Sequence, residues 1–421
     1  MNEKLFQFIW QFQYYNWQQL ATVQQEKLVV LHPGQLNADQ GPDFLNGKIM
    51  VGATTWVGSI ELHLRTSDWD LHQHSNDPNY RNVILHVVWE HDKSMKLPIP
   101  VLSLQERVAM SMLDRYRQLM QQQFFISCSP FLKNLPSLLV TNWKDRLLAE
   151  RLQQRSKRIY QIHQLCKGHW EEVLWRLLLR NFGQKVNSDA FEQIAEKLPY
   201  NLICRYQTQI QQLEALLLGQ AGLLKSEFED AYVKMLQKEF FYLARKHQLQ
   251  PIQIPIFFLR MRPANFPTIR LAQLAALIHR QPHILSKMKL AKNLTELQSL
   301  LDVTANDFWH YHYRLHEKTA YAEKHLGKNM IDNILLNTIL PFLFAYGKMM
   351  KEIALQQNAW QWMQELAPEN NTVVKQFRQQ GIEVNSAGDT QALLTCKQYY
   401  CDAKRCLDCM IGTHLLNPSG S

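Results

Sequence analysis

Residues 41–64 read GPDFLNGKIMVGATTWVGSIELHL. A turn, Gly41-Pro42-Asp43, opens the stretch, and Gly52 sits between two runs of strand character. In the second run, successive side chains alternate between faces, so Glu61 and His63 share one face while Leu62 and Leu64 take the other. A hairpin about Gly52 carries Asp43, 18 residues earlier, back to Glu61. Two converging carboxylates suit a hard divalent cation, Mg²⁺ or Mn²⁺, which lowers the pKa of a bound water and polarises a phosphoryl oxygen. Asp43 and Glu61 are therefore candidate metal-binding and catalytic acids, with His63 as the group that orients or deprotonates water. The same acids also admit a purely structural use, in which Asp43 caps its turn and Glu61 pairs with Arg65.

Outward from the hairpin, strand-like runs fill residues 27–104: KLVVLHPG, GKIMVG, TTWVGSIELHL, NVILHVVW and LPIPVLSL, separated by turn residues. A short aromatic helix precedes them in residues 1–20. After residue 105 the apolar spacing becomes three and four, the helical period, and stays so to about residue 365. Asn142 and Ser188 read as helix N-caps. The fold class expected is α+β: a small mixed α/β domain over 1–107, an all-helical domain over 108–365, and a C-terminal helix with a Cys-rich tail over 366–421. Residues 367–388 form the most polar stretch, a loop with a short helix. The apolar run 335–347 is interrupted by Asn337 and Pro341 and reads as a buried helix.

Histidines crowd beside the hairpin. Five of the 16 in the chain, His63, His72, His74, His86 and His91, lie within residues 63–91. Asp68, His72 and His74 are candidates to complete a metal shell, and His72-x-His74 suits a softer ion, Zn²⁺ or Mn²⁺. His86 sits mid-strand, either as a satisfied core histidine or aimed at the site. A second candidate centre lies at the other end of the chain, where Cys396, Cys401, Cys406 and Cys409 are spaced C-x4-C-x4-C-x2-C. That spacing suggests Zn²⁺ or an iron–sulfur cluster, and basic neighbours favour the thiolates. Cys128, Cys166 and Cys204 read as core.

The 421 residues carry a formal net charge of +9 with 46% hydrophobic and 20% charged residues, the composition of a globular protein with a modest basic excess. Charge of that sign fits a polyanion partner. Lys144, Arg151, Arg155 and Arg158 recur at seven, four and three on one helical run. Arg260, Arg262 and Arg270 flank a Pro-Ala-Asn-Phe-Pro turn in which Phe266 is either free to stack on a base or part of the core of an inter-helix loop. These eight residues are the candidate nucleic-acid contacts. Seven cysteines with four crowded near the C-terminus do not resemble a secreted disulfide framework. With no signal-peptide pattern and no uninterrupted apolar span, the expectation is a cytoplasmic protein without a membrane segment. Oligomeric state is left open.

Pro42-Asp43 followed by Glu61-Leu62-His63 resembles the PD-(D/E)xK nuclease pattern, in which an acid-x-Lys follows a Pro-Asp turn on the next strand of a hairpin. His63 stands where that pattern has lysine, so the fixed positive charge beside the phosphate is absent. Some nucleases of that type carry an iron–sulfur cluster. Over nearly its whole length the chain also resembles a bacterial family known only as a domain of unknown function, through GPDF (41–44), GSIELHLRTSDW (58–69), YRNVILHVVW (80–89), NFGQKVNSDAF (181–191), RMRPANFPTIRLAQLA (260–275), LPFLFAYG (340–347) and YCDAKRCLDCMIG (400–412). The function these readings imply is a metal-dependent nuclease. The alternatives are a non-catalytic nucleic-acid-binding protein on a degenerate nuclease fold, and a metal-dependent hydrolase of a small substrate.

Overall fold

A computed structural model describes residues 1–37, 39–94, 98–121 and 124–417. The chain divides into two compact units. The first comprises residues 1–143, 380–382 and 396–421, and the second residues 144–379 and 383–395.

The first unit is built on a six-stranded mixed sheet: β1 (Leu28–His32), β2 (Gln35–Leu36), β3 (Phe44–Val51), β4 (Thr54–Arg65), β5 (Val83–Glu90) and β6 (Val101–Ser103), in the order β1-β3-β4-β5-β6 with β2 beside β3. β3 and β4 form the expected antiparallel hairpin, turned at Gly52, whose φ of +58° lies in the left-handed region glycine enters without strain. β4 then pairs with β5 in parallel, Glu61 opposite His86 and Leu62 opposite Val87. A parallel pair needs a crossover. Here residues 66–82 make it, through three one-turn helices, Asp68–Leu71, His74–Asn76 and Pro78–Tyr80. Gly58 permits the close approach of these strands, because a Cβ there would meet the Asn82 carbonyl oxygen and Ile84 Cγ2 at 2.5 Å.

Register sorts the side chains. Ile60, Leu62, Leu85 and Val87 fall on one face and join Phe6, Ile9 and Trp10 of α1 (Glu3–Gln11) in the main core. Glu61, His63, His86 and Val88 take the other face, which the crossover covers. The same core includes Met112, Leu113 and Leu119 of the helix Met110–Gln121, and Leu416 near the C-terminus. The expected boundary at 107 is therefore moved: the apolar face of Met110–Gln121 belongs to the sheet's core. Residues 396–421 are likewise part of this unit and do not form a separate tail domain.

The second unit is helical, its longer helices including Trp170–Phe182, Ala231–His247 and Pro267–Arg280. The boundary at 143/144 falls inside one helix, Ser137–Leu165. Asn142 lies within that helix, which starts five residues earlier just after Pro136, so it is not an N-cap. The helix Gln184–Lys197 kinks at Asn187, one residue before Ser188. The Asn187 side chain there bonds both the N–H and the carbonyl of Phe257, at 2.8 and 2.9 Å. Residues 335–347 belong to a continuous helical segment, Lys328–Met350. Among the described residues it alone has the length and hydropathy to cross a membrane, yet 78% of its apolar window is buried inside the protein, as in a core helix. A π-turn at Leu335–Ile339 and the missing N–H of Pro341 free carbonyls that the helix does not satisfy. The Arg155 guanidinium takes them up, donating to the Leu336 and Asn337 carbonyls at 3.2 Å each.

Candidate metal centre

Asp43 and Glu61 meet at the start of β3 and the middle of β4 through a reciprocal pair of hydrogen bonds. The Asp43 N–H donates to Glu61 Oε2 and the Leu62 N–H donates to Asp43 Oδ2, each at 3.0 Å. Gln7 of α1 donates to Asp43 Oδ1 at 2.8 Å. Burial, and for Glu61 also the neighbouring Asp43, push both carboxyls up, Asp43 to about 6 and Glu61 to about 8. The sequence left open a pairing of Glu61 with Arg65. In the structure Arg65 lies instead 3.7 Å from Glu90.

The other oxygen of Glu61 faces a group of imidazoles. Glu61 Oε1 lies 3.5 Å from His63 Nε2 and 3.3 Å from His74 Nε2. His63 Nε2 is in turn 3.3 Å from His74 Nε2 and 3.1 Å from His72 Nδ1. The three histidines each offer a nitrogen, all within 4.8 Å of one another. A tetrahedron drawn around an ion with bonds of about 2.0–2.1 Å has edges of about 3.3 Å, which these four separations match; the residues whose ligand atoms all lie near one another are His63, His72 and His74, with Glu61 Oε1 beside two of them. In the ion-free protein the one N–H of each neutral imidazole and the carboxyl proton of Glu61 serve these contacts. Burial and the neighbouring imidazoles hold His63 down to about 2, and burial lowers His74, which keeps both rings neutral, the form that binds a metal.

The surroundings fix the rings. Tyr80 stacks on His74 with centroids 3.7 Å apart, and the edge of Trp69 meets the same ring at 5.4 Å. Trp69 is itself held by a 3.0 Å bond from its indole N–H to Ser75 Oγ. Behind His63, its Nδ1 lies 2.9 Å from His86 Nε2, one N–H serving the pair, and burial lowers His86 to about 3. His86 Nδ1 is buried without a partner. Of the two readings of His86, the geometry selects the one aimed at the site. His72 is exposed and marks the side on which the group opens to solvent.

Not every candidate converges. The Asp68 carboxylate accepts the Arg65 N–H at 2.9 Å and tightens the turn after β4. His91 and Asp92 tie the same turn through Thr66 and Ser67. Gln7, Trp69 and Tyr80 are supporting residues that the sequence reading missed. Only the aromatic content of the crossover hinted at the last two.

The cysteines form a second cluster in the same unit. Cys396, Cys401, Cys406 and Cys409 line one small cavity with Trp143 and also with Cys128, which its apolar helical context alone would place in the core. Cys396 and Cys401 sulfurs are 3.5 Å apart. Cys409 is drawn down to about 7 by hydrogen bonds from the Cys396 thiol, the Gly412 and Ile411 N–H groups and the Trp143 indole, against its burial. Burial pushes Cys406 up to about 11 and raises Cys128. The cavity thus holds one thiol poised to ionise among neighbours that resist it.

The basic candidates separate into two groups. Lys144 forms a 2.8 Å ion pair with Asp389, and Arg151 donates to Gln391, so these two face partners inside the helical unit and not a polyanion. Phe266 is buried, with Phe258 against its ring at 5.4 Å and the Arg314 guanidinium over it at 5.1 Å, which removes it as a stacking platform. Arg260 is exposed in the turn before Pro263 and does not line the pocket. Arg155, Arg158, Arg262 and Arg270 do converge, on a pocket of about 850 Å³ that also takes in Arg180 and Lys185.

No curated protein and no solved structure matches this chain. The likeness to PD-(D/E)xK nucleases therefore rests on the short acid motif alone. Residues 3–372 match the model of a family described as "Protein of unknown function (DUF2851)", a range that leaves out the cysteine cluster's C-terminal members, and the chain belongs to that family.

Proposed function

We propose that this protein is a metal-dependent hydrolase acting on phosphodiester bonds. One observation carries the reading: a nitrogen from each of His63, His72 and His74 lies within 4.8 Å of the other two, with Glu61 Oε1 3.5 Å from His63 Nε2 and 3.3 Å from His74 Nε2. Three imidazoles move the preferred ion from the Mg²⁺ suggested by two carboxylates toward Zn²⁺ or Mn²⁺. The ion would supply a water of lowered pKa and polarise the scissile group. His86 holds the His63 ring through its Nδ1 so that Nε2 is directed at the centre, as the hydrogen-bond partner of a metal-bound histidine does. Asp43, clamped to Glu61 by the reciprocal bonds, is the remaining carboxylate able to accept a proton from an attacking water. The exposed side at His72 is where substrate would enter.

The choice of phosphodiester is supported by the Pro-Asp…Glu-x-His arrangement on a hairpin followed by a parallel strand, the order in which the nuclease pattern places its acids. The test is cleavage of plasmid, single-stranded DNA and RNA with Mn²⁺ or Zn²⁺, alongside bis-p-nitrophenyl phosphate. Cleavage lost in Asp43→Asn and Glu61→Gln supports the reading. Hydrolysis of the small ester without any nucleic-acid cleavage would move the substrate to a small molecule. Stoichiometric metal with no hydrolysis of either would make the centre a structural ion. For the cysteine cavity we propose a structural Zn²⁺ or iron–sulfur centre, on the convergence of five cysteines, one of them drawn toward ionisation.

A further inference from the structure

The pocket in the helical unit is independent of the metal centre and carries its own chemistry. Its volume is about 850 Å³, within the range of small-ligand sites. Six cationic side chains line it: Arg155, Arg158, Arg180, Lys185, Arg262 and Arg270. Among the described residues, none that lines it carries a carboxylate. Asp189 and Glu192, just behind, pair with Arg180, and Glu192 also lies 3.7 Å from Arg158. Two acids against six cations leave the pocket strongly positive.

Arg270 is the decisive member. It is only 5% exposed, lies in the first turn of the 14-residue helix Pro267–Arg280, and among the described residues meets no carboxylate. Its guanidinium donates to Gln273 Oε1 at 2.8 Å and to Asn265 Oδ1, while its Nε has no partner. A buried charge of this kind is costly unless an anion completes it. The helix N-terminus beside it favours the same sign of ligand. Asn181, also lining the pocket, has its buried Oδ1 without a partner. With the amide turned, Asn181 would present an N–H donor to the pocket.

We infer that this pocket binds the phosphate group of a nucleotide-sized ligand, with Arg270 and Arg262 as its principal contacts. The planar, five-donor guanidinium matches phosphate oxygens two at a time. The inference goes beyond the hydrolase reading and is tested by binding alone.

The experiment is calorimetric titration of the full chain at about 50 mM salt with inorganic pyrophosphate, ATP, and an oligothymidylate with and without a 5′-phosphate. Saturable binding of pyrophosphate or ATP is expected, weakened at least about tenfold in Arg262→Gln/Lys185→Gln, whose residues are both exposed and whose fold is not at stake. Lys238→Gln, an exposed cation outside the pocket, should leave binding unchanged, and so should Glu61→Gln. Arg270→Gln should abolish it if the variant folds. ATP binding at least as well as the 5′-phosphorylated oligonucleotide identifies a free nucleotide; the reverse order identifies a strand end. The proposal is overturned by the absence of pyrophosphate and ATP binding, or by equal affinity in the Arg262/Lys185 variant.

Discussion

Metal uptake at Glu61 should displace a proton, and the number follows from the site. In the metal-free protein, burial and Asp43 hold Glu61 at about 8. At pH 7 its carboxyl is then roughly nine-tenths protonated. Asp43, held at about 6, is mostly ionised, while His63 and His86, held near 2 and 3, are neutral and release nothing. Placing an ion against Glu61 Oε1 must therefore expel close to one proton at pH 7, and affinity should fall about tenfold for each pH unit below the Glu61 pKa. Above that pKa the dependence flattens. The assay is calorimetric titration with Zn²⁺ or Mn²⁺ in buffers of different ionisation enthalpy, which separates proton release from binding heat. Glu61→Gln should release nearly one proton fewer and bind more weakly by at least the roughly 10–100-fold typical of losing a supporting partner. Equal proton release and equal affinity in the wild type and Glu61→Gln would refute the placement of the ion. So would metal binding untouched by His74→Ala.

Four further outcomes are expected. His86→Leu keeps every direct ligand yet should lower metal affinity about 10–100-fold, measured by competition with a chelating dye. Glu214 is buried against Tyr232 and Trp309, and burial holds it at about 8, far above its ordinary value. Its contribution is fully present below about pH 4.5 and is lost as pH rises through about 8, a slope of about 1.4 kcal/mol per pH unit between those values that Glu214→Gln should remove from urea-unfolding curves. Gly58→Ala forces a Cβ into Asn82 and Ile84 across the parallel strand pair and should cost about 1–3 kcal/mol, read by chemical denaturation. Anaerobically purified protein should carry zinc, or iron with a visible absorption band, that disappears in Cys406→Ser/Cys409→Ser; metal-free wild-type protein would end the thiolate reading.

The hairpin 44–65, the facing of Glu61 with His63 and the change from strand to helix near residue 105 were all legible in the sequence. Each is written in a local period, two or three-and-a-half residues, and in turn residues such as Gly52. Pairing across the fold is not periodic, and there the tertiary structure decided. The parallel register of β4 with β5 set His86 behind His63, and the crossover returned His72 to His63 and His74 to Glu61 while turning Asp68 onto the Arg65 backbone. Burial, which no spacing reveals, consumed Lys144, Arg151 and Phe266 in internal contacts and left Arg270 charged without a carboxylate. It also drew Cys128 to the four C-terminal cysteines across more than 260 residues of chain. Composition and local period determined which elements form. Which side chains face one another, and hence any chemistry, was fixed only when the elements packed, because a functional group's meaning lies in neighbours that are remote in sequence.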